Sequence, residues 1–193
     1  MSGSVQARRI RRVVLVGFMA AGKTTVGRRL ADLLGWRFVD FDPEIEASTG
    51  RSIERIFAEQ GEAAFRALEA DLTLRVAGQR DVVLAPGGGW ITQPSLVQRL
   101  RPESCFIWLR VSAEEAVRRA GADSVVRPLL RTADPLASAR HLLTVREPDY
   151  AQADWIVDVN GRAPLEVARA LSERLKQAGV DPLPRQQDGR GGV

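Results

Sequence analysis

Near the start of the chain, Gly17-Phe18-Met19-Ala20-Ala21-Gly22-Lys23-Thr24 follows the pattern GxxxxGK[ST]. Two glycines at this spacing free the backbone to turn its N–H groups inward, and such a turn at a helix N-terminus cradles phosphate. Lys23 is placed to reach β- and γ-phosphates, and the Thr24 hydroxyl is placed to ligate Mg²⁺. A second set follows in Asp40-Phe41-Asp42, where carboxylates at i and i+2 share one face of a strand. Arg66 and Glu69, at i and i+3 of a helix, can pair. Gly87-Gly88-Gly89, directly after an apolar run, lets a ligand approach the backbone closely.

These groups need a scaffold, and the sequence supplies one. Val13 to Val16 reads as a buried strand that enters the glycine loop, and Val26 to Leu34 continues it at helical spacing. Arg37 to Asp42 reads as a second strand, with Asp42 as the cap of a helix that has Pro43 in its first turn. Ser52 caps a short helix over Ile53 to Ala58, and Gly61-Glu62 opens a longer amphipathic one. Val82 to Ala85 is a third strand, Pro94 to Leu100 a helix, and Cys105 to Arg110 a fourth strand. Ser112 and Glu115 form a capping box for a helix through Arg119. Further along come a helix over Ala137 to Arg146, a strand over Trp155 to Val159 and a last helix over Leu165 to Lys176.

Alternating strands and helices predict an α/β fold, a three-layer, doubly wound, five-stranded parallel sheet with helices on both faces. The sheet's C-terminal edge then gathers the phosphate loop, Asp40 and Asp42. Residues 1–11 are expected to be a disordered basic arm, 12–178 a single domain, and 179–193 a disordered tail. Polar, weakly periodic residues at about 119–135, with Arg119, Arg127 and Arg131, have the makings of a short mobile lid.

Composition narrows the class. The chain has 193 residues and a net charge of +4, with Lys23 and Lys176 its only lysines. Its arginines are scattered among acidic residues apart from Arg8, Arg9, Arg11 and Arg12, so small anionic metabolites are expected rather than nucleic acid. No stretch approaches the roughly 18 apolar residues of a membrane span. The apolar run at Val13 leads into the phosphate loop rather than to a cleavage site, so export is not expected. The single Cys105 sits in an apolar run and reads as a core residue in a reducing, cytoplasmic setting. His141, the only histidine, reads as an ordinary helix residue. Trp90 either packs on a substrate or covers the core. No apolar stripe is left over, so a monomer is expected.

Several segments together resemble the shikimate kinase family, within the small-metabolite and nucleoside-monophosphate kinase branch of P-loop folds. They are Asp40-Phe41-Asp42, Gly50-Arg51-Ser52-Ile53, Gly61 to Glu69 with its Phe65-Arg66 pair, Gly87-Gly88-Gly89, Arg127-Pro128-Leu129-Leu130, and Arg146 with Tyr150. The resemblance runs from about Val13 to Leu175. It implies Mg²⁺-dependent transfer of the ATP γ-phosphoryl group to the 3-hydroxyl of shikimate. It further implies that Lys23, Asp42 and Arg127 are catalytic, and that Arg66, Arg146 and Gly87 to Gly89 hold the acceptor together with Asp42. ATP would meet Ala20, Ala21, Gly22, Lys23, Thr24 and Thr25, with Arg119, Arg127, Arg162 and Pro164 around the adenine and phosphates. Thr24 would ligate the metal, and Asp40 would support it through water. The pattern is broken by Ala20 in place of a loop glycine, by Trp90 in place of a small residue, and by Asp149 in place of an apolar one. A kinase for another hydroxy acid or polyol and a silent nucleotide-binding homologue are the alternatives.

Overall fold

The computed structural model describes residues 9–122 and 132–183. Among them, five strands form one parallel sheet in the order β2-β3-β1-β4-β5. The strands are β1 (Arg12–Val16), β2 (Arg37–Asp40), β3 (Val82–Ala85), β4 (Ser104–Arg110) and β5 (Trp155–Asp158). The helices are α1 (Lys23–Leu34), α2 (Phe41–Thr49), α3 (Ile53–Val76), α4 (Pro94–Leu100), α5 (Ala113–Ala122), α6 (Pro135–Tyr150) and α7 (Pro164–Gln177). Every residue of β1 is buried, as parallel strands covered on both faces must be.

Alternation along the strands feeds two cores. Val13, Leu15, Cys105, Ile107 and Leu109 face one, together with Leu30 of α1 and Leu171 of α7. Val14, Val16, Leu84, Phe106 and Trp108 face the other, with Ile45 of α2, Leu72 of α3 and Leu100 of α4. Cys105 is therefore a core residue, as its apolar neighbours predicted. No helix among the described residues is long and apolar enough to cross a membrane.

Several boundaries differ from the sequence expectation. β2 stops at Asp40, and Phe41 begins α2, so Asp42 stands in the first helical turn rather than at a strand end. Asp40, not Asp42, occupies the N-cap position, and its side chain makes no capping bond. Pro43 still fits, because the first turn of a helix has no intrahelical use for its missing N–H. α6 runs through Pro148 to Tyr150, past the expected end at Arg146. Burial of Arg146 and Tyr150 holds that last turn against the proline. Past α7, Val180 is buried in the core and the Leu183 N–H donates to the Leu34 carbonyl, so packing continues beyond residue 178.

α3 carries a break where the sequence placed one. Gly61 has φ 79° and ψ 175°, a backbone state essentially confined to glycine, and it divides α3 between Gln60 and Glu62. Ser52 caps the first part by accepting from the Arg55 N–H at 3.2 Å.

Candidate active site

The phosphate loop joins β1 to α1 and forms one wall of a cleft of about 620 Å³. Gly22, at φ 89°, turns the chain into α1, whose N-terminal N–H groups open toward the cleft. Ala20 also lies in the left-handed region, at φ 58°, which is strained for a residue with a Cβ. A glycine is relaxed there. Ala21 turns its side chain into the core, and its N–H donates to the Phe18 carbonyl at 3.2 Å.

Lys23 and Thr24 begin α1. The Lys23 ammonium donates to the carbonyls of Gly17 at 2.8 Å and Phe18 at 3.2 Å, which folds it back over the loop. The Thr24 hydroxyl donates to Asp40 Oδ2 at 2.5 Å. This bond ties the phosphate loop to the end of β2 and explains why Asp40 leaves its helix uncapped. Asp42 lines the same cleft from the first turn of α2, where the helix dipole favours a negative charge.

β3 delivers the triple glycine alongside. Gly87 and Gly88 line the cleft, and Gly88 packs against the phosphate loop. A Cβ on Gly88 would stand 3.4 Å from both the Gly17 carbonyl oxygen and the Met19 nitrogen. A Cβ on Gly87 would come within 2.6 Å of Glu69 Oε1, and one on Gly89 would collide with the Arg66 guanidinium. Backbone therefore fits directly against the Arg66–Glu69 pair.

That pair is not the exposed ion pair its spacing alone would suggest. Glu69 is fully buried and accepts from Arg66 Nη1 at 2.6 Å and from Gln93 Nε2 at 3.1 Å. Burial pushes its carboxyl above the ordinary value, the Arg66 charge opposes this, and nearby Asp42 adds to it. Arg66 also donates from Nη2 to Glu62 Oε1 at 2.6 Å, and its pKa is raised although burial works against it. Arg146 is 8% exposed on α6, next to Tyr150. The Tyr150 hydroxyl donates to the Gly88 carbonyl at 2.5 Å, and burial lifts its pKa to about 12, so the phenol stays protonated.

The far end of the cleft is walled by Arg119, Arg162 and Pro164. Arg119 donates to Glu115 Oε1 at 2.7 Å, to the Val159 carbonyl at 2.7 Å and to the Ala20 carbonyl at 3.4 Å. Glu115 also grips Arg118 through both oxygens, at 2.7 and 2.8 Å. These bonds hold its carboxyl down at about 2. Sequence reasoning placed Glu115 in a capping box, of which one half forms: its backbone N–H donates to Ser112 Oγ at 3.2 Å, while the Ser112 N–H donates to Asn160 Oδ1 at 3.0 Å and the Glu115 side chain goes to the arginines. Its place in the cleft wall depends on how α5 packs, and no local signal carried that.

The cleft thus gathers Ala20, Gly22, Lys23, Thr24 and Thr25 with Asp40 and Asp42. Gly89 and Arg66 lie against each other just behind its Gly87 rim. Arg127 and Arg131, and most of the expected lid, lie outside the described residues. Trp90 is fully buried and faces the core, not the cleft, which decides between its two expected roles.

A parallel sheet of this order, with a GxxxxGK[ST] loop after its first strand and carboxylates opposite, defines a P-loop phosphotransferase. The family model described as shikimate kinase matches residues 19–176, and the chain belongs to the shikimate kinase family. It is 43% identical over 178 residues to a shikimate kinase of Parasynechococcus marenigrum, covering 92% of this chain and 93% of the relative. A shikimate kinase of Moorella thermoacetica is 45% identical over 164 residues, covering 85% and 94%. Among solved structures, shikimate kinase from Acinetobacter baumannii in complex with shikimate superposes with a TM-score of 0.83. It is 36% identical and covers 88% of this chain and 95% of that one.

Proposed function

We propose that this protein phosphorylates the 3-hydroxyl of shikimate with Mg·ATP, releasing ADP. The observation that carries this is the meeting, in one cleft, of the Lys23–Thr24 loop with Asp42 and the Gly87–Gly88 backbone, backed by Arg66. The relative crystallised with shikimate supports the choice of acceptor.

ATP binds with its triphosphate on the loop N–H groups and its adenine toward Arg119, Arg162 and Pro164. The acceptor lies on the triple-glycine side, its carboxylate gripped by the guanidinium forks of Arg66 and Arg146. Asp42 orients the 3-hydroxyl and takes its proton as that oxygen attacks the γ-phosphorus. The bond from that phosphorus to the β–γ bridging oxygen breaks, and the electron pair leaves with ADP. Lys23 swings from the Gly17 and Phe18 carbonyls onto the phosphates and neutralises charge as it develops. Arg127, outside the described residues, takes the same role on resemblance alone.

Thr24 and Asp40 present hard oxygen donors at 2.5 Å from one another, a set that suits Mg²⁺ held through one or two protein oxygens and the substrate's phosphates. Bound with the nucleotide, the ion supplies charge neutralisation across the β- and γ-phosphates. A cytoplasmic monomer acting on small molecules, without nucleic acid or membrane partners, completes the proposal.

The test is ADP formation with Mg·ATP and a panel of shikimate, quinate, gluconate and nucleoside monophosphates, with the product's phosphate position read by NMR. Turnover confined to shikimate, yielding the 3-phosphate, supports the proposal. Turnover with a different acceptor alone overturns the acceptor, and none with any overturns catalysis. Asp42→Asn should lose most turnover, and near-normal turnover would remove Asp42 as the proton acceptor.

A further inference from the structure

Trp90 and Thr73 lie outside the cleft, yet they join the two elements that form its acceptor side. The indole Nε1–H of Trp90 donates to Thr73 Oγ1 at 2.9 Å, in a fully buried pair. The Thr73 hydroxyl in turn donates to the backbone carbonyl of Glu69, one turn earlier on α3, at 2.7 Å. The order of donors is fixed: an indole nitrogen only donates, and the hydroxyl proton is committed to the helix. The Trp90 ring is held on two further sides. It stacks on Phe106 of β4 at 6.3 Å and 23°, and meets Phe41 of α2 edge-on at 6.4 Å and 78°.

Trp90 directly follows the triple glycine, and its own N–H closes that loop on the Gly87 carbonyl at 3.0 Å. Thr73 stands four residues after Glu69, on the same face of the helix as that buried carboxylate. Between these anchors the loop has no slack, because Gly87 touches Glu69 and Gly89 touches Arg66 with no room for a Cβ. A displacement of α3 against the loop would therefore move the Arg66 guanidinium relative to the backbone of Gly88 and Gly89.

We propose that Trp90 and Thr73 are positioning residues for the acceptor, setting through their buried hydrogen bond the register of the Arg66–Glu69 helix against the triple-glycine loop. This rests on the assignment of Arg66 and that loop to shikimate. The phosphate loop hangs on β1 and α1 and meets this link only through the Gly88 backbone, whereas Arg66 and Glu69 meet it directly, so the effect falls chiefly on acceptor binding.

The experiment is steady-state kinetics of the full chain with Mg·ATP and shikimate for the wild type, Thr73→Val, Thr73→Ser, Trp90→Phe and the Thr73→Val/Trp90→Phe double variant. Valine removes the hydroxyl at nearly constant shape, serine keeps it, and phenylalanine removes the indole donor. Thr73→Val should raise KM for shikimate by about five- to tenfold, the scale of one buried hydrogen bond, with KM for ATP and kcat within about twofold. Thr73→Ser should restore the wild-type KM, and the double variant should be no weaker than Trp90→Phe alone. An unchanged shikimate KM in Thr73→Val overturns the proposal, as does an equal loss in Thr73→Ser or a parallel change in both KM values and kcat. Wild-type protein that does not turn over shikimate overturns the acceptor assignment on which the proposal stands; a turning-over wild type with an unaffected Thr73→Val overturns the positioning role alone.

Discussion

The Thr24 hydroxyl and the Asp40 carboxylate meet at 2.5 Å across the gap between α1 and β2. Asp40 forgoes capping α2 for this contact, a local cost typical of functional positions. Asp40→Asn should raise the Mg²⁺ concentration for half-maximal turnover by roughly 10- to 100-fold, the usual loss when a supporting carboxylate is neutralised. A Mg²⁺ titration that matches the wild type would separate Asp40 from the metal.

Lys23 is the one side chain of the loop able to place a full positive charge on the transferring group among the described residues. Lys23→Ala should lower kcat by at least about 100-fold while leaving KM for shikimate nearly unchanged. Unaltered kcat would dismiss its role in transfer.

Arg146 lies on α6, far along the chain from Arg66, and the buried end of α6 sets it beside Tyr150, whose hydroxyl donates to the Gly88 carbonyl. Arg146→Ala should raise KM for shikimate by about 10- to 100-fold, as for a charge-assisted hydrogen bond, with KM for ATP little changed. A rise confined to ATP would reassign Arg146 to the nucleotide.

Ala20 carries left-handed strain at φ 58°. Ala20→Gly relieves about 1–2 kcal/mol of that strain and adds about 0.5–1 kcal/mol of unfolded-state entropy. The net expectation is a gain of up to about 1.5 kcal/mol in urea unfolding. A lower urea midpoint for the variant would show that the strain is not there.

Glu115, held at about 2 against an ordinary 4.5, binds protons less readily when folded than when unfolded. Its contribution to stability is then complete above pH 4.5 and is lost as the pH falls through about 2. Glu115→Gln should therefore unfold more easily than the wild type near neutrality, with the gap closing toward pH 2. A constant gap across that range would place the effect elsewhere than in the Arg118 and Arg119 pairs.

The strands and helices were legible because their signals are local. Apolar runs ended at glycines, Ser52 and Ser112 announced caps, and Gly61 broke α3 at its predicted place. The site's donor side was legible for the same reason, since Gly22, Lys23 and Thr24 are contiguous. What escaped depended on tertiary packing. The helix expected to stop at Arg146 runs on through Pro148, held by the burial of Tyr150. Asp42 kept its place in the cleft although it moved from strand to helix. Trp90 looked able to serve either substrate or core, and its burial against Phe41, Phe106 and Thr73, none of them near it in the chain, assigns it inward.

β1 and β3 are hydrogen-bonded neighbours, and each ends in one of the two glycine loops. The two glycine loops are thereby held one strand spacing apart, about 4.8 Å, with Gly88 resting on Gly17 and Met19. The sheet acts as a ruler. The pairing of Val14 with Leu84 keeps the two loops in register whatever the length of chain between them.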